Sequence, residues 1–454
     1  MLKLRLYESV TACIIEQCLD CCSLLLGVNV TDHFHRRHSR WYEVILFNFW
    51  FQLIVGAFFI VLLPHAIRWE SLLFNQAKWN SVQINTLIAN GVAFFIAFLV
   101  LKKMQQFPGS RSMSYLFPTI ATSWLIVIAI LLFMREEYAR SVLFISFLLA
   151  NFWTFLGFFI GRKYYKPKLA IVPFGRALEL ADTKQAVITI LDSPDLGKRR
   201  YDAIVADLHS TMPNEWQRFL SECTLSHIPV FHTTQLTENL TGRVQLDHLS
   251  ENIFGHLQPS LFYIGAKRLF DTLVALGFLP LLLPVFLITA ILIKLDSKGP
   301  IFYNQERIGY RNKIFKMYKF RSMRTDLEGR GFTEGEDDPR ITRVGKIIRK
   351  YRIDELPQFL NVLKGDMSFI GPRPESLTLS KWYEKDVPFF NYRHIVRPGI
   401  SGWAQVTQGY AAEVDGMKIK LQYDFYYIKH FSLWLDILIV FKTIRTMLTG
   451  FGAR

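Results

Sequence analysis

Four stretches of the chain, at about 43–64, 84–101, 115–134 and 141–161, are long and apolar enough to cross a bilayer. Hydrocarbon offers no water to a backbone N–H or C=O, so each must close its own hydrogen bonds as a helix. The flanking charges set their direction. Arg36, Arg37 and Arg40 precede the first stretch, Lys102, Lys103 and Arg111 follow the second, and Arg162, Lys163, Lys166 and Lys168 follow the fourth. In the loop after the third, Arg135 and Arg140 are balanced by Glu136 and Glu137. Basic loops stay inside, so both ends of a four-helix transmembrane bundle over 43–161 are expected in the cytoplasm.

Composition sharpens this picture. Of 454 residues 51% are hydrophobic, with a mean hydropathy of +0.19, and the excess is concentrated in those stretches. A formal net charge of +15 calls for an anionic partner: nucleic acid, anionic lipid or a phosphorylated substrate. Cys13, Cys18, Cys21 and Cys22 crowd the N-terminal cytoplasmic or interfacial segment 1–42, and Cys223 stands apart. That distribution argues against a disulfide framework and for a reducing compartment. Small apolar thiols on a membrane-associated helix are the plain reading, with zinc held alongside His33, His35 or His38 as the alternative. Glu8, Glu16 and Asp20 argue against a cleavable signal peptide.

Across 162–260, apolar runs (LAIVPF, AVITIL, YDAIVADL, IPVFHT) alternate with polar helical stretches such as NEWQRFLSECTL. This predicts a small α/β Rossmann-like cytoplasmic domain with a mainly parallel sheet. A single Gly175 follows its first strand in place of G-x-G-x-x-G, so a structural or dimer-forming domain is favoured over a dinucleotide site. Segment 261–298 is long enough to span, yet Pro280 and Pro284 interrupt it and both flanks are basic. Proline removes a donor and kinks a helix, and basic flanks favour keeping both ends inside. A re-entrant membrane helix, broken at the prolines and starting at Lys267, Arg268 and Asp271, is therefore expected; a kinked spanning helix is the alternative. Near the C-terminus, FSLWLDILIVFKTIRTML is apolar along one side but holds Asp436, Lys442 and Arg445, which reads as an amphipathic surface helix.

Chemistry concentrates in 299–454. From Phe302 to Glu355 there are fourteen Lys or Arg against nine Asp or Glu, in the clusters QERIG, KMYKFRSMRTD and PRITRVGKIIRKYRIDE. Beside a membrane segment, a phosphorylated small molecule is a better partner than nucleic acid, and converging guanidinium forks suit a diphosphate. Asp354 and Glu355 stand before the helical pattern LPQFLNVL, whose Pro357 is tolerated only in a first turn. Asp354 is thus expected at or near a helix N-cap. It could be a plain cap worth about 1 kcal/mol. It could equally attack phosphorus at a helix N-terminus while Glu355 holds magnesium bridging a diphosphate. Farther on, the prolines of GPRPE would aim Arg373, or simply make a rigid turn. The loop RPGISGWAQV could line a nucleotide or sugar pocket, or be a turn before interfacial helices.

Taken together, KRLFD with its Pro-interrupted apolar segment, GPIFYNQERIG, KMYKFRSMRTD, RIDELPQFLNVLKGDMSFIGPRPE and RPGISGWAQV resemble the bacterial polyisoprenyl-phosphate sugar-1-phosphate transferases, the monotopic phosphoglycosyl transferases. The resemblance runs through nearly all of 263–454. The N-terminal spans and α/β domain look like the large undecaprenyl-phosphate glucose or galactose phosphotransferase type of capsule, O-antigen and exopolysaccharide pathways. The implied reaction converts a UDP-sugar and undecaprenyl phosphate into undecaprenyl-diphosphate-sugar and UMP, by way of a phosphosugar-aspartyl enzyme. By motif position, Asp354 matches the nucleophile and Glu355 the Mg2+ ligand, while Arg349 and Arg373 match phosphate-binding arginines. Lys319 and Arg321 match residues lining the same site. Lys267, Arg268 and Asp271 match the start of the membrane hairpin and Pro284 its helix-breaking proline. The resemblance further implies an α-helical membrane protein of the bacterial inner membrane, with a mainly α monotopic catalytic domain facing the cytoplasm. Its partners would be membrane lipids and a second copy in a homodimer, with no nucleic acid. Leu283 stands where small relatives carry serine, and TQGY follows GWAQV where some relatives have NGRN.

Two other classes compete. A non-catalytic scaffold of a polysaccharide assembly complex would use the bundle and the α/β domain. A lipid-linked glycosyltransferase would release UDP in place of UMP.

Overall fold

The computed structural model describes residues 45–46, 48–69, 79–110, 112–164, 167–181, 183, 186–197, 199, 201–245, 258–324, 338–408 and 414–449. The N-terminal cysteines, the three histidines of the zinc alternative, and Arg36, Arg37, Arg40, Arg111 and Lys166 lie outside the described residues. The chain forms two compact units, one built on 157–236 and the other on 53–156 with 237–454.

The expected spans are helices α1 (Phe49–Trp69), α2 (Ser81–Met104), α3 (Leu116–Met134) and α4 (Arg140–Tyr164). Within α1, Phe58–Leu62 form a π-helical turn. Small residues Ala89, Ala93 and Ala97 recur every four positions on the buried face of α2, where backbones can approach closely. Polar groups pair across the helices. Trp124 Nε1 donates to Asn90 Oδ1 at 3.3 Å, and Asn85 Nδ2 donates to Glu136 Oε2 at 2.8 Å. The outward faces remain apolar, with Leu125 and Phe133 exposed, as a lipid-facing surface requires.

In the first unit, strands β1 (Lys168–Ile171), β2 (Val187–Ile190), β3 (Ala203–Ala206) and β4 (Val230–His232) form a parallel sheet in the order β2-β1-β3-β4. Helix α5 (Asn214–Leu225) covers one face with Trp216, Phe219, Leu220 and Cys223. Helix α6 (Thr233–Thr241) leaves the end of β4.

Helix α7 (Leu261–Asp296) is one helical element of 36 residues, with Pro280 and Pro284 inside it. The prolines remove two donors but do not end the helix. Pro284 leaves the Pro280 carbonyl without its usual partner. Only 11% of its most apolar window is buried. Both ends are fastened to the same unit. At the start, Lys267 Nζ donates to Asp436 Oδ2 at 2.6 Å, Arg268 donates to the carbonyls of Val362 and Leu363, and Ser368 Oγ donates to Asp271 Oδ2 at 2.6 Å. At the other end, Asp296 Oδ2 accepts the Val344 amide at 2.9 Å.

The rest of this unit contains the antiparallel hairpin β5 (Phe302–Ile308) and β6 (Ile314–Phe320), then helices α8 (Arg343–Lys350) and α9 (Gln358–Lys364). Strand β7 (Ser368–Ile370) pairs in parallel with β8 (Gly399–Ser401). A Cβ at Gly399 would lie 2.1 Å from the Gly371 nitrogen, so this close approach needs glycine. Helices α10 (Leu377–Asp386), α11 (Trp403–Thr407), α12 (Val414–Lys429) and α13 (Leu433–Thr449) complete it. Its core joins Trp403, Leu421, Phe425, Tyr426, Leu435 and Ile439 to Met104, which ends α2, and to Tyr115, just before α3. The expected amphipathic α13 turns Asp436 and Lys442 inward and leaves Arg445 exposed. Asp436 and Lys442 are buried, whereas Val440, Ile444 and Met447 are exposed.

Candidate active site

Thr342 caps α8 by accepting the Gly345 amide at 2.8 Å, and Arg349 and Lys350 occupy its last turn, where cations offset the helix dipole. The chain reverses through Arg352 at φ 55, a left-handed conformation that costs a non-glycine residue roughly 1 kcal/mol. One 3-10 turn, Ile353–Glu355, follows. Helix α9 then begins at Gln358 with Pro357 in the N-cap position. Asp354 is therefore not the cap of α9. It sits on the turn before it, because Leu356 and Pro357 keep i→i+3 bonding through Phe359 and Leu360.

Asn361 locks α9 to the hairpin: its Oδ1 accepts the Tyr318 amide at 3.0 Å, and its Nδ2 donates to the Lys316 carbonyl at 2.7 Å. This brings Lys319 of β6 to the acid pair, with Lys319 Nζ 3.4 Å from Glu355 Oε1. Arg373 reaches the same oxygen at 2.8 Å, and Arg352 Nη1 lies 3.7 Å from Oε2. The turn that carries Arg373 is gripped on both sides. Arg393 Nη2 donates to the Arg373 carbonyl at 2.8 Å, and Arg307 Nη1 donates to the Pro374 carbonyl at 3.0 Å. Glu375 in turn holds Arg393 at 3.5 Å and pairs with Lys420. The prolines thus act together with the buried Arg393 and the half-buried Arg307 in aiming Arg373.

The two adjacent carboxyls respond oppositely to this setting. Burial pushes Glu355 up, but Arg373 and then Lys319 overcome it and hold the group well below the usual carboxylate range. Burial and the Glu355 charge raise Asp354 to about 6, against the pull of Lys319, Arg373 and Arg349. Burial also lowers Lys319, with Glu355 opposing. The site therefore offers one firmly ionised carboxylate, one carboxyl poised near neutrality, and cations with room for a second anion.

Of the residues expected here, the structure gathers Asp354, Glu355, Lys319 and Arg373, with Arg349 in electrostatic reach of Asp354. Arg321 is placed differently. Its guanidinium donates to the carbonyls of Lys298 and Ser297, each at 2.7 Å, and so secures the far end of α7. Lys267, Arg268 and Asp271 fasten the start of α7 to α9, α13 and β7, and Pro284 lies within that helix. Two residues were missed. Arg352 faces Glu355, and Arg307 is electrostatically linked to both Arg373 and Glu355. Its Nε is buried with no acceptor among the described residues. The QERIG cluster was the available signal for Arg307.

Residues 262–450 match the family described as bacterial sugar transferase. Over 93% of this chain and the full length of the relative, the sequence is 51% identical to a UDP-N-acetylgalactosamine-undecaprenyl-phosphate N-acetylgalactosaminephosphotransferase of Aeromonas hydrophila. It is 44% identical to a UDP-glucose:undecaprenyl-phosphate glucose-1-phosphate transferase of Xanthomonas campestris pv. campestris, over 42% of this chain and 40% of that one. An exopolysaccharide production protein of Rhizobium leguminosarum bv. phaseoli is 44% identical over 40% of this chain and 95% of its own length. The chain belongs to the bacterial sugar transferase family, among the undecaprenyl-phosphate sugar phosphotransferases.

Proposed function

We propose that the protein transfers a sugar 1-phosphate from a UDP-sugar to undecaprenyl phosphate and releases UMP, through a phosphosugar carried on Asp354. The observation that carries this reading is the geometry of the acid pair: Glu355 lies 2.8 Å from Arg373 and 3.4 Å from Lys319, with Asp354 next to it in the chain and raised to about 6 by burial and the Glu355 charge. An Asp354 oxygen attacks the sugar-bearing phosphorus, and the bond to the bridging oxygen breaks, releasing UMP. A phosphate oxygen of the lipid then attacks the same phosphorus, and the Asp354 carboxylate leaves. Splitting the exchange lets two bulky anions use one site in turn. Lys319, Arg373 and Arg307 would receive the diphosphate charge, since the first two already lie against Glu355 and Arg307 keeps an Nε donor in hand.

The donor set fits magnesium: Glu355 supplies hard carboxylate oxygens, and its Oε2 has Arg352 only at 3.7 Å, beyond hydrogen-bond length. Bound there, the ion would lessen repulsion between carboxylate and diphosphate. For the donor we propose UDP-N-acetylgalactosamine, named for the relative that is similar along 93% of this chain, ahead of the UDP-glucose or UDP-galactose that the resemblance to the large type implies. We further propose that α7 enters and leaves the membrane on the cytoplasmic side. Both of its ends bond to one unit, which suits a bent, re-entrant helix better than a span.

The test is UMP release from a UDP-sugar and undecaprenyl phosphate. Asp354→Asn should release almost none, and adduct should accumulate on wild-type Asp354 when lipid is withheld. UDP as product would point to a glycosyltransferase. Near-wild-type UMP release by Asp354→Asn would refute the nucleophile.

A further inference from the structure

None of the residues placed in this chemistry lies in the unit built on 157–236, yet that unit gathers polar side chains at the carboxyl ends of its strands. The chain runs from β1 out to β2 and then returns across β1 to β3, so the strand order reverses between β1 and β3. Ligands of open parallel sheets collect at the carboxyl ends of the strands beside such a reversal. Asp207 directly follows β3, His209 lies in the turn after it, and His232 ends the neighbouring β4. His209 Nδ1 is 2.7 Å from His232 Nε2, and His232 Nε2 is 3.5 Å from Asp207 Oδ1. One donor atom from each of the three lies within 4.8 Å of the others.

We propose that Asp207, His209 and His232 bind a divalent transition metal of the zinc class. Two imidazoles and a carboxylate suit such an ion and are a poor set for magnesium or calcium. Donors on one tetrahedral ion with bonds near 2.1 Å lie about 3.4 Å apart. The distances of 2.7 and 3.5 Å bracket that value, so a small spreading of the imidazoles admits the ion.

The carboxylate is held in advance. Asp207 Oδ2 accepts the Arg176 amide at 3.0 Å and Oδ1 accepts the His209 amide at 3.2 Å. Gly175, at φ +58, is required in the loop after β1, since a Cβ there would lie 2.3 Å from Asp207 Oδ2. His209 is exposed, which leaves the fourth position to water or to an added donor.

One contact competes. The Thr234 amide donates to His232 Nδ1 at 3.1 Å, which places the ring proton on Nε2. Ligation through Nε2 moves that proton to Nδ1 and gives up the amide bond, so binding is weaker than in a site whose tautomer is already set.

Full-length protein in detergent, stripped with EDTA, is titrated with Co2+ and with Zn2+. One equivalent should bind, with the visible absorption of tetrahedral or five-coordinate Co2+. His209→Ala, at an exposed turn, and Asp207→Asn should each weaken that equivalent at least about tenfold. Glu355→Gln should leave it unchanged. Retention by both substituted proteins of every equivalent that the wild type binds overturns the proposal, as does the absence of binding to a monodisperse wild-type protein. Because the readout is metal content, loss of transferase activity does not bear on it.

Discussion

Asp354 and Glu355 are neighbours in the chain, yet their surroundings drive their carboxyls apart. Arg373, Lys319 and Arg352 cluster on Glu355, while Asp354 bears the cost of burial and of its neighbour's charge. A carboxyl raised to about 6 in the fold stabilises the protein in its protonated form, and that contribution is lost as pH rises through 6. Asp354→Asn should therefore be more stable than wild type at pH 7–8, by on the order of 1–2 kcal/mol given partial exposure to solvent. Below about pH 4 both states of the wild type are protonated and the difference should vanish. Denaturant unfolding at the two pH values checks this, and a less stable Asn variant at pH 8 would contradict it. The acid pair was legible because two carboxylates among so many bases have few other uses. Arg321, expected at the site by motif position, bonds to the far end of α7 instead. Side chains two apart along a strand share a face, which would align it with Lys319, but β6 ends at Phe320. Beyond that point the alternation no longer holds.

Elements built from long apolar runs could be read directly, since length and hydrocarbon leave the backbone one choice. Boundaries set by single hydrogen bonds could not. Pro357 fits either the first turn or the cap, and only the i→i+3 bonds of its neighbours decide between them. In α7 the prolines lie inside a helix that continues past them. What speaks for a return to the same face is the fastening of its ends by Arg268, Asp271 and Asp296. A single cysteine introduced by Lys298→Cys should resist a membrane-impermeant maleimide in intact spheroplasts and react once they are opened. Labelling from outside would make α7 a span. Ser297 and Lys298 also receive Arg321, so Arg321→Ala should loosen this junction and raise proteolysis near 298 while the Glu355 cluster persists.

At the scale of the molecule, a relative similar along 93% of the chain bears on the donor sugar more than relatives similar along about 40% of it. Among UDP-glucose, UDP-galactose and their N-acetyl forms, UDP-N-acetylgalactosamine should give the highest kcat/KM for UMP release. A preference for UDP-glucose by tenfold or more would return the donor to the first expectation.

The shared packing of Met104 and Tyr115 with Trp403, Leu421 and Leu435 has a consequence for how such proteins are assembled from parts. A Rhizobium relative corresponds along 95% of its length to just 40% of this chain, so proteins of this kind occur at well under half the present length. In this protein Met104, which ends α2, and Tyr115, just before α3, supply side chains to the catalytic portion's interior, and the Gly242 carbonyl accepts the Trp403 indole N–H at 3.0 Å. Cutting the chain at residue 258 would leave holes rather than a clean surface. Grafting a short relative onto this anchor, or this catalytic portion onto another, would have to refill them. The membrane helices are here a missing wall of the enzyme as much as its mooring.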